Sequence, residues 1–383
     1  MARRPFIVLA DDLTGAAELA GIAHQAGLRA LVLTGPPPRR VSADVIVCDT
    51  DTRLVSPAAA ARRVGALART LSRRPHRGFF KKTDSVLRGN VLAEIRACAR
   101  ALGLRRTLLI PCNPSLGRII HNGTYSIGSV PLHRTAFARD PHHPRRTANV
   151  LRLLGGAQPP TGATCCHPAD RMPATGIVVG EARSPADVVL WASQLDARTL
   201  PAGGADFFRA WLTQKTAAHS TTTPQLANGA ALLISGTATP PDPATPLPGP
   251  IVAVNARALP TSAALAAQAA AGLRAHGSAS ILMHGAVVRS GRTRLALNRL
   301  FVAVARQLHG EHAFAHLLIT GGATAAGVLA ALGWTQLEVV QVWGPGVVTL
   351  APAGTSSCVV TVKPGSYRWP AALLRHFEPL AAA

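Results

Sequence analysis

The sequence predicts an α/β protein with two three-layer α/β domains, mostly parallel sheets and an interdomain cleft. Short apolar runs alternate with segments of helical periodicity along most of the chain, which is typical of parallel sheets covered by helices. The length of 383 residues suits two domains, at roughly 100–200 residues for each domain. A polar, threonine-rich stretch at residues 214–229 is typical of a linker. We therefore expect one domain at residues 1–220 and a second at residues 230–383.

Strands of the first domain are predicted where short apolar runs end at polar or glycine residues. These runs are residues 6–10, 30–34, 44–48, 78–82, 107–111 and 176–180, and the predicted helices between them are 14–27, 57–72 and 90–103. The first helix ends at a glycine, which is a common stop signal. The segment 112–148 is rich in glycine, proline, asparagine and histidine. We expect a long functional loop there rather than core.

The second domain repeats the same alternation of strand and helix signals. Its predicted strands are residues 231–235, 251–255, 279–283, 316–320, 337–343 and 358–363, and its predicted helices are 261–275, 293–308 and 324–332. The sequence shows no internal repeat, so the two domains are not predicted to be copies of each other.

Composition excludes several classes of protein. No apolar run reaches the ~18 residues that a membrane-spanning helix needs, and the run at residues 6–10 is too short for a signal peptide. We therefore expect a cytoplasmic protein. The formal net charge is +22, but the arginines are scattered in pairs and aromatic residues make up only 4% of the chain. This distribution favours a basic surface or attraction of small anions over nucleic-acid binding.

Cysteine and histidine spacing does not predict a metal site. The six cysteines form no CxxC pair, and the adjacent cysteines at 165–166 with His167 lack zinc-ligand spacing. His309, His312 and His316 lie across a predicted helix–strand turn rather than on one helical face. We expect reduced, mostly structural cysteines and no metal-ligating residues.

Two aspartates follow the first predicted strand, in 9-LADDLTGAAE-18. Ligands of open α/β sheets bind outside the carboxyl ends of the strands, and a helix N-terminus offers free N–H groups to an anion. Asp11 and Asp12 are therefore candidates to bind substrate hydroxyls, to hold Mg²⁺ or to accept a proton. The structural alternative is an N-cap, but two aspartates exceed what a cap requires.

The most highly charged stretch, 81-KKTDSVLRGN-90, directly follows a predicted strand. Arg88 with a lysine such as Lys82 is suited to clamp a carboxylate or phosphate, because a guanidinium binds such groups in a bidentate manner. The alternative is an ion pair between Asp84 and Arg88, one helical turn apart. The residues of this stretch alone leave both interpretations open.

Two further stretches place polar groups where binding sites are common. The loop-rich segment 111–144 carries Arg118 and Asn122, among other polar side chains. The stretch 320-TGGATAAGVLAALG-333 places two glycines between a strand and a helix, which lets backbone N–H groups approach a phosphate. It is neither GxGxxG nor a Walker loop, and a tight turn into a helix explains it equally well.

Together these stretches resemble the four-carbon acid sugar kinase family. Members of that family share DDLTGA near the N-terminus, a central KKxDSxLRGN, and a later segment with GR, VPL and DP. This chain matches the first two at residues 11–16 and 81–90. It matches the third at Pro111, Gly117, Arg118, Gly123, Val130–Leu132, Thr135, Phe137, Asp140 and Pro141. The shorter 49-DTDTR-53 and 201-PAGGADFF-208 also fit, and the resemblance covers nearly the whole chain.

The resemblance implies an ATP-dependent kinase that phosphorylates a hydroxyl of threonate, erythronate or 3-oxo-tetronate. Residues 1–220 would bind the acid sugar and residues 230–383 the nucleotide. ATP and Mg²⁺ are the implied cofactors, and a homodimer is left open. The expected substrate-binding residues are Asp11, Asp12, Lys82, Asp84, Arg88, Arg118 and Asn122. The expected catalytic residues are Asp12, Asp84 and Arg88, and the general base is left open between the two aspartates.

The C-terminal half departs from the family's pattern. The family's nucleotide contacts resemble S-G-S, G-G-[DE]-T and K-S-G-N-F-G, whereas this chain has 235-SGT-237, 321-GGAT-324 and 363-KPGSYR-368. The expected nucleotide-binding residues are Ser235, Gly321, Gly322, Ala323, Thr324 and Gly365. Ala323 stands at the acidic position and Pro364 at the serine, so weaker nucleotide use is expected. The alternative function is a relative that binds a small sugar acid without efficient ATP use.

Overall fold

The computed structural model describes residues 4–39, 41–156, 158–216, 226, 229–236, 247–284, 291–354 and 358–377. The chain divides into two units. The first unit comprises Met1–Ala30 and Pro38–Thr221, and the second comprises Leu31–Pro37 and Thr222–Ala383. Most of the linker expected at residues 214–229 lies outside the described residues.

Eighteen strands are assigned in the described residues. In chain order they are β1 (Phe6–Ala10), β2 (Ala30–Leu33), β3 (Val45–Asp49), β4 (Gly78–Lys82), β5 (Arg106–Ile110), β6 (Arg118–His121), β7 (Thr124–Ile127), β8 (Val130–Pro131), β9 (Ala163–Cys166), β10 (Gly176–Gly180), β11 (Thr199–Gly203), β12 (Ala231–Ser235), β13 (Ile251–Asn255), β14 (Ser278–His284), β15 (His316–Thr320), β16 (Gln336–Gly344), β17 (Val347–Pro352) and β18 (Val359–Lys363).

Ten α-helices connect these strands in the described residues. They are α1 (Leu13–Gln25), α2 (Pro57–Ser72), α3 (Val91–Ala101), α4 (Val150–Gly155), α5 (Pro185–Ser193), α6 (Ala205–Thr213), α7 (Ser262–His276), α8 (Gly291–Gly310), α9 (Gly322–Ala331) and α10 (Ala371–Arg375). Proline at the first position and a serine N-cap begin both α2 and α5, because proline tolerates the first turn and the serine hydroxyl accepts a free N–H.

Parallel strands in the order β3–β1–β4–β11–β5–β10–β9 form the sheet of the first unit. Two consecutive residues of β4 show that helices cover both faces. The Lys81 Nζ lies 2.8 Å from Glu94 of α3, and the Lys82 Nζ lies 3.3 Å from Glu18 of α1. Because successive side chains of a strand point to opposite faces, α1 and α3 lie on opposite sides of the sheet.

The second unit has a mixed sheet. Its strands β13–β14–β12–β15–β18 are parallel, and β17, β16 and β2 continue the order with antiparallel pairs. Helices α7, α8 and α9 pack side by side. A core cluster contains Leu233 of β12, Leu318 of β15, and Leu373 and Leu374 of α10. The predicted apolar runs of β12 and β15 are fully buried, as their composition requires, whereas Ile251 and Ala253 of the edge strand β13 are exposed.

The α/β class and the mostly parallel pairing are confirmed, whereas the expectation of two separate sheets is corrected. Hydrogen bonds order fifteen strands into a single sheet. The physical reason is that the strand Ala30–Leu33 itself crosses the division between the units, since Ala30 belongs to the first unit and Leu31–Leu33 to the second. The predicted domain boundary near residues 220–230 stays a prediction.

The segment 112–148 is more structured than its composition suggests. It forms a small antiparallel sheet, in the order β6–β7–β8. The side chains of Ile120, Tyr125 and Leu132 are fully buried there, so the expectation of a loop without core is corrected. Among the described residues, no helix is both long and apolar enough to span a bilayer.

Candidate functional site

The candidate site of the first unit lies at the carboxyl ends of adjacent parallel strands. Asp11 and Asp12 follow β1, Arg53 lies shortly after β3, and Asp84 follows β4. Because β1 lies between β3 and β4, the register brings these residues to the same sheet edge. This edge is where open α/β sheets bind ligands.

Arg53 joins three carboxylates of this edge. Its Nε lies 2.7 Å from Asp11 Oδ2, and its two terminal nitrogens each lie 2.8 Å from an oxygen of Asp12. Its Nη1 also lies 3.7 Å from Asp84 Oδ2. The sequence prediction missed Arg53 as a site residue, although its position after a strand of the same sheet was a usable signal.

Asp12 also caps helix α1, so the structural alternative for this residue is present. Its Oδ1 accepts from the Gly15 backbone at 2.9 Å, and its Oδ2 accepts from the Thr14 hydroxyl at 2.7 Å. Asp11 differs, because its Oδ1 is buried and has no hydrogen-bond partner among the described residues. A buried acceptor without a partner is costly, and a hydroxyl donor of a ligand would satisfy it.

Asp84 and Arg88 form the ion pair that the sequence left as an alternative, but they form it in a turn rather than a helix. Arg88 Nε and Nη2 lie 3.1 and 2.7 Å from the two oxygens of Asp84. Asp84 Oδ1 also accepts from the backbone N–H groups of Val86 and Arg88. Arg88 Nη1 reaches Asp140 Oδ2 at 3.1 Å. The pair therefore fixes the turn and links it to the loop that contains Asp140.

The surrounding charges decide the protonation of the two most buried aspartates. Burial acts to raise the pKa of Asp84, but Arg88 and then Arg53 outweigh it and hold that pKa well below its usual range. Burial likewise acts to raise the pKa of Asp11, and Arg53 and Lys81 outweigh it, so the pKa of Asp11 is lowered. Both groups are therefore carboxylates at neutral pH.

Aromatic and hydroxyl groups complete the edge around Arg118. The Arg118 guanidinium donates to the Ser85 hydroxyl, and the Tyr125 hydroxyl donates to the Ser85 carbonyl at 2.6 Å. The guanidinium carbons of Arg88 and Arg118 lie 5.4 and 5.8 Å from the centre of the Phe137 ring. The contacts described above thus bring five of the predicted substrate-binding residues together at this edge, namely Asp11, Asp12, Asp84, Arg88 and Arg118.

Two of the predicted substrate-binding residues have other surroundings. Lys82 pairs with Glu18 and donates to the Thr83 carbonyl at 3.0 Å, so its charge is compensated within the protein. Asn122 is exposed at the β6–β7 turn, and its backbone N–H donates to Glu181 Oε2 at 3.0 Å. The described contacts of Asn122 do not join it to the aspartates and arginines of the edge.

The predicted nucleotide-binding residues meet at the corresponding edge of the second unit. Ser235, Thr320 and Lys363 end the adjacent strands β12, β15 and β18 in matching register. Gly321 has a positive φ of 101° and precedes α9, which begins without a side-chain cap. The α9 N-terminus, with Gly322, Ala323 and Thr324, therefore presents N–H groups suited to a phosphate.

Two side chains at this edge support a ligand there. The Thr320 side chain is almost fully buried, and its Oγ1 has no hydrogen-bond partner among the described residues. The Lys363 Nζ donates to the carbonyls of Pro364 and Tyr367 and lies 5.3 Å from the centre of the Trp369 ring. Burial lowers the pKa of Lys363 to about 8. Gly365 lies in the turn that is closed by the hydrogen bond from the Tyr367 backbone N–H to the Pro364 carbonyl.

The described residues at this edge are poor ligands for a magnesium ion. Magnesium usually takes one or two carboxylates together with phosphate oxygens and water. In the described part of the second unit the carboxylates are Glu311, which follows α8, and Glu338 on β16. The edge itself offers the hydroxyls of Ser235, Thr320 and Thr324. A resident magnesium ion therefore does not fit these residues, and a magnesium complex of the nucleotide would arrive as substrate.

Comparison with known proteins assigns a description to each half of the chain. Residues 6–200 match a family described as a sugar-binding N-terminal domain, and residues 242–367 match a nucleotide-binding C-terminal domain. A D-erythronate kinase of Heliobacterium modesticaldum is 35% identical over 153 residues, which are 39% of this chain and 35% of that protein. The chain thus aligns with about a third of that relative's length.

Two further comparisons extend over nearly the whole chain. A 3-oxo-tetronate kinase of Burkholderia multivorans is 26% identical over 408 aligned residues, covering 96% of this chain and 95% of that protein. A crystal structure from Salmonella typhimurium LT2, whose name proposes a tRNA synthase, has a TM-score of 0.75. It is 18% identical and covers 97% of this chain and 98% of that chain. At this identity the likeness shows the fold alone.

Proposed function

Because the chain belongs to the four-carbon acid sugar kinase family, we propose that it transfers the γ-phosphate of ATP to a hydroxyl of a four-carbon sugar acid. Threonate, erythronate and 3-oxo-tetronate are the candidate acids. One observation carries the proposal. The half that matches a sugar-binding domain gathers three aspartates and two arginines at one sheet edge, where Arg53 and Arg88 bridge Asp11, Asp12 and Asp84.

The roles in the acid site follow from which groups can still accept or donate. Asp11 has an oxygen without a partner, so we assign it to a substrate hydroxyl. Arg88 keeps N–H groups beyond those that bind Asp84 and Asp140, and Arg118 lies beside it over the same ring. Lys82 and Asn122 stay predictions from the resemblance.

The general base is best assigned to Asp12 rather than to Asp84. A base with a strongly lowered pKa is weak, and the pKa of Asp84 is held well below its usual range by Arg88 and Arg53. The Asp84 side chain is 5% exposed, whereas the Asp12 side chain is 15% exposed. Asp12 is therefore the more accessible acceptor for a hydroxyl proton.

Nucleotide binding is proposed for the edge formed by β12, β15, β18 and the α9 N-terminus. Backbone N–H groups of Gly322, Ala323 and Thr324 would bind phosphate oxygens, with Ser235 and Gly365 alongside. Phosphoryl transfer depends mainly on positioning and charge neutralisation. Backbone N–H donors of this kind can position the phosphates and offset part of their charge. The predicted division into an acid domain at 1–220 and a nucleotide domain at 230–383, with a cleft, belongs to this proposal, as do a cytoplasmic location and a homodimer.

An ADP-release assay tests the proposal. Purified full-length protein is incubated with the magnesium complex of ATP and a panel of threonate, erythronate and 3-oxo-tetronate stereoisomers. We expect ADP only in the presence of a matching acid, together with a phosphorylated acid in equal amount. ADP release that is independent of any acid, or no release across the panel, would refute the kinase assignment.

The alternative is a relative that binds the acid without efficient use of ATP. Ala323 at the start of α9 and the absence of a carboxylate among the described residues of that edge favour it, because a charged contact to the phosphate region contributes about 1.5–3 kcal/mol. Thermal-shift measurements separate the two functions. Protection by an acid but not by ATP would support the alternative, and protection by both ligands would support the kinase.

A further inference from the structure

Arg145 lies beside the charged edge and is held there from two sides. Its Nη1 donates to the carbonyl of Leu87 at 2.8 Å, and its Nε donates to the carbonyl of His143 at 2.9 Å. Its backbone N–H donates to the carbonyl of Phe137 at 2.9 Å. Leu87 belongs to the turn between Asp84 and Arg88, so the Arg145 guanidinium is anchored to that turn.

The loop that carries Arg145 is itself fixed to the site. Asp140 pairs with Arg88, and its Oδ1 accepts from the backbone N–H groups of His142 and His143. The His143 ring lies 3.0 Å from the carbonyl oxygen of Arg53. The loop that carries Arg145 is therefore held in place through Asp140 and His143, which contact Arg88 and Arg53 of the aspartate cluster.

Four other cations in or beside this edge, two arginines and two lysines, are already compensated by carboxylates of the protein. Arg53 pairs with Asp11 and Asp12, and Arg88 pairs with Asp84 and Asp140. Lys82 lies against Glu18 and Lys81 against Glu94. A substrate carboxylate that binds to these groups has to share them with an internal partner.

Arg145 has no such partner. Within the described residues, no carboxylate oxygen lies within 4.0 Å of its guanidinium. The side chain is half-buried, and burial lowers the pKa of Arg145, while Asp84 and Asp140 offset this only from a distance. An arginine nevertheless stays charged. Desolvating a cation whose only partners are backbone carbonyls costs free energy unless an anion also binds it.

We propose that Arg145 binds the carboxylate of the sugar acid and selects acids over neutral polyols. The identity of the ligand rests on the proposed function, and the role of Arg145 as a carboxylate-binding residue rests on the contacts above. A guanidinium offers parallel N–H groups to a carboxylate. Its Nη2, and the second N–H of Nη1, remain for that purpose after the bonds to Leu87 and His143.

The adjacent Arg146 provides a matched control. It has the same charge and nearly the same place in the chain, but its side chain is exposed. Arg145→Gln removes the charge and keeps an N–H donor at the position of Nε, which donates to the His143 carbonyl. Arg145→Lys keeps the charge and loses the bidentate geometry. Far-UV circular dichroism and the melting temperature of each variant establish that the fold is retained.

Isothermal titration calorimetry of the nucleotide-free, full-length protein gives the decisive measurement. Threonate and erythronate are titrated into wild type, Arg145→Gln, Arg145→Lys and Arg146→Gln, with threitol and erythritol as neutral counterparts. We expect Arg145→Gln to weaken binding of the acid by at least tenfold, which corresponds to about 1.4 kcal/mol. Arg145→Lys should be intermediate, Arg146→Gln should stay within about twofold of wild type, and polyol binding should not change.

Each outcome separates this inference from the proposed kinase function. Acid binding that is unchanged in a folded Arg145→Gln variant overturns the role of Arg145, whatever the enzyme does with ATP. Weaker acid binding in that variant, with no ADP release by wild type, supports Arg145 and refutes the kinase. A wild-type protein that binds none of the acids overturns the inference together with its proposed ligand.

Discussion

Arg53 illustrates at the residue scale how one side chain organises a charged site. It reaches Asp11 and Asp12 across the end of β1 and approaches Asp84 at the end of β4. Without it, three partly or fully buried carboxylates would lose their shared cation. Burial acts to raise the pKa values of Asp11 and Asp84, and Arg53 helps to outweigh it, so the arginine favours the ionised form of these two groups.

Replacing Arg53 by glutamine should move the acid limb of the pH–rate profile to higher pH. Arg53 helps to hold the pKa values of Asp11 and Asp84 down, so its loss raises both, and protons bind these groups at higher pH. We expect kcat/KM for the acid to fall roughly tenfold or more near neutral pH. The profile is measured between about pH 4 and about pH 8.

Arg63→Gln is the matched control for this change. Arg63 is exposed and donates to the Asp51 carbonyl at 3.1 Å, without an ion pair to the aspartates of the edge. Its profile should overlay that of wild type. An acid limb at the same pH in Arg53→Gln as in wild type would contradict the role given to Arg53.

Lys363 should make ATP affinity depend on pH above neutrality. Burial lowers its pKa to about 8, so in the free protein the ammonium loses its proton as the pH rises through that value. A bound phosphate favours the charged form, and the dissociation constant of ATP should therefore increase above about pH 8. Calorimetry at about pH 7, 8 and 9 measures this.

The Lys363→Met variant tests whether that lysine is the cause. It should bind ATP more weakly at neutral pH and should lose the additional weakening above pH 8 that wild type shows. The same pH dependence in wild type and variant would assign the effect to another group.

The residues at the charged sheet edge of the first unit were predictable where one short motif contained them. Asp11, Asp12, Asp84 and Arg88 lie just after strands that the apolar runs identified. Arg53 and Arg145 were missed, because their contacts join segments 42 and 58 residues apart in the chain, which the sequence alone does not bring together. Arg145 lies outside the matched motif, and nothing in its local sequence distinguishes it from the exposed Arg146.

Elements were predictable where composition and tertiary pairing agreed. Residues 57–72 form the predicted helix with the same bounds, because a serine cap, a proline and an amphipathic pattern coincide there. Strand β11, Thr199–Gly203, was missed, because Pro201 and its glycine are typical of turns. It pairs with β4 through Ala202 and Gly203, so that ladder begins after the proline.

Gly203→Ala should destabilise the first unit strongly. A Cβ at Gly203 would lie 2.0 Å from the Ile110 carbonyl oxygen, and the residue has a φ of 154°. Backbone cannot move as easily as a side chain, so we expect a loss of about 3 kcal/mol or more in the free energy of unfolding. Urea unfolding followed by circular dichroism measures the change.

Gly103→Ala separates the steric clash from the backbone conformation. Gly103 has a φ of 68°, but nothing lies within 4 Å of its added Cβ. We expect a cost of only about 1–2 kcal/mol there. Equal losses in the two variants would show that close approach to Ile110 is not the cause.

The net charge of +22 acts at the scale of the whole molecule. Both proposed substrates are anions, and a positively charged protein attracts them over distances comparable to the Debye length. Raising the salt concentration from about 20 mM to about 200 mM should lower kcat/KM several-fold and leave kcat nearly unchanged. Steady-state kinetics along a potassium chloride series measures both constants.

A sucrose series serves as the control, since a neutral solute does not screen charge. It should not reproduce the decrease in kcat/KM at matched osmolality. A value of kcat/KM that is independent of salt would mean that the arginine-rich surface does not assist substrate capture.

The path of the chain through β2 has a consequence for synthesis on the ribosome. Residues Leu31–Leu33 pair with Gln336–Glu338 of β16, and Leu31–Pro37 belongs to the second unit. Roughly 300 residues must be translated between the two segments, which takes tens of seconds at about 5–20 residues per second. During that time this edge of β2 lacks its partner, and an unpaired strand edge promotes aggregation. Faster elongation between the two segments, or more chaperone to cover the unpaired edge, should therefore raise the folded yield.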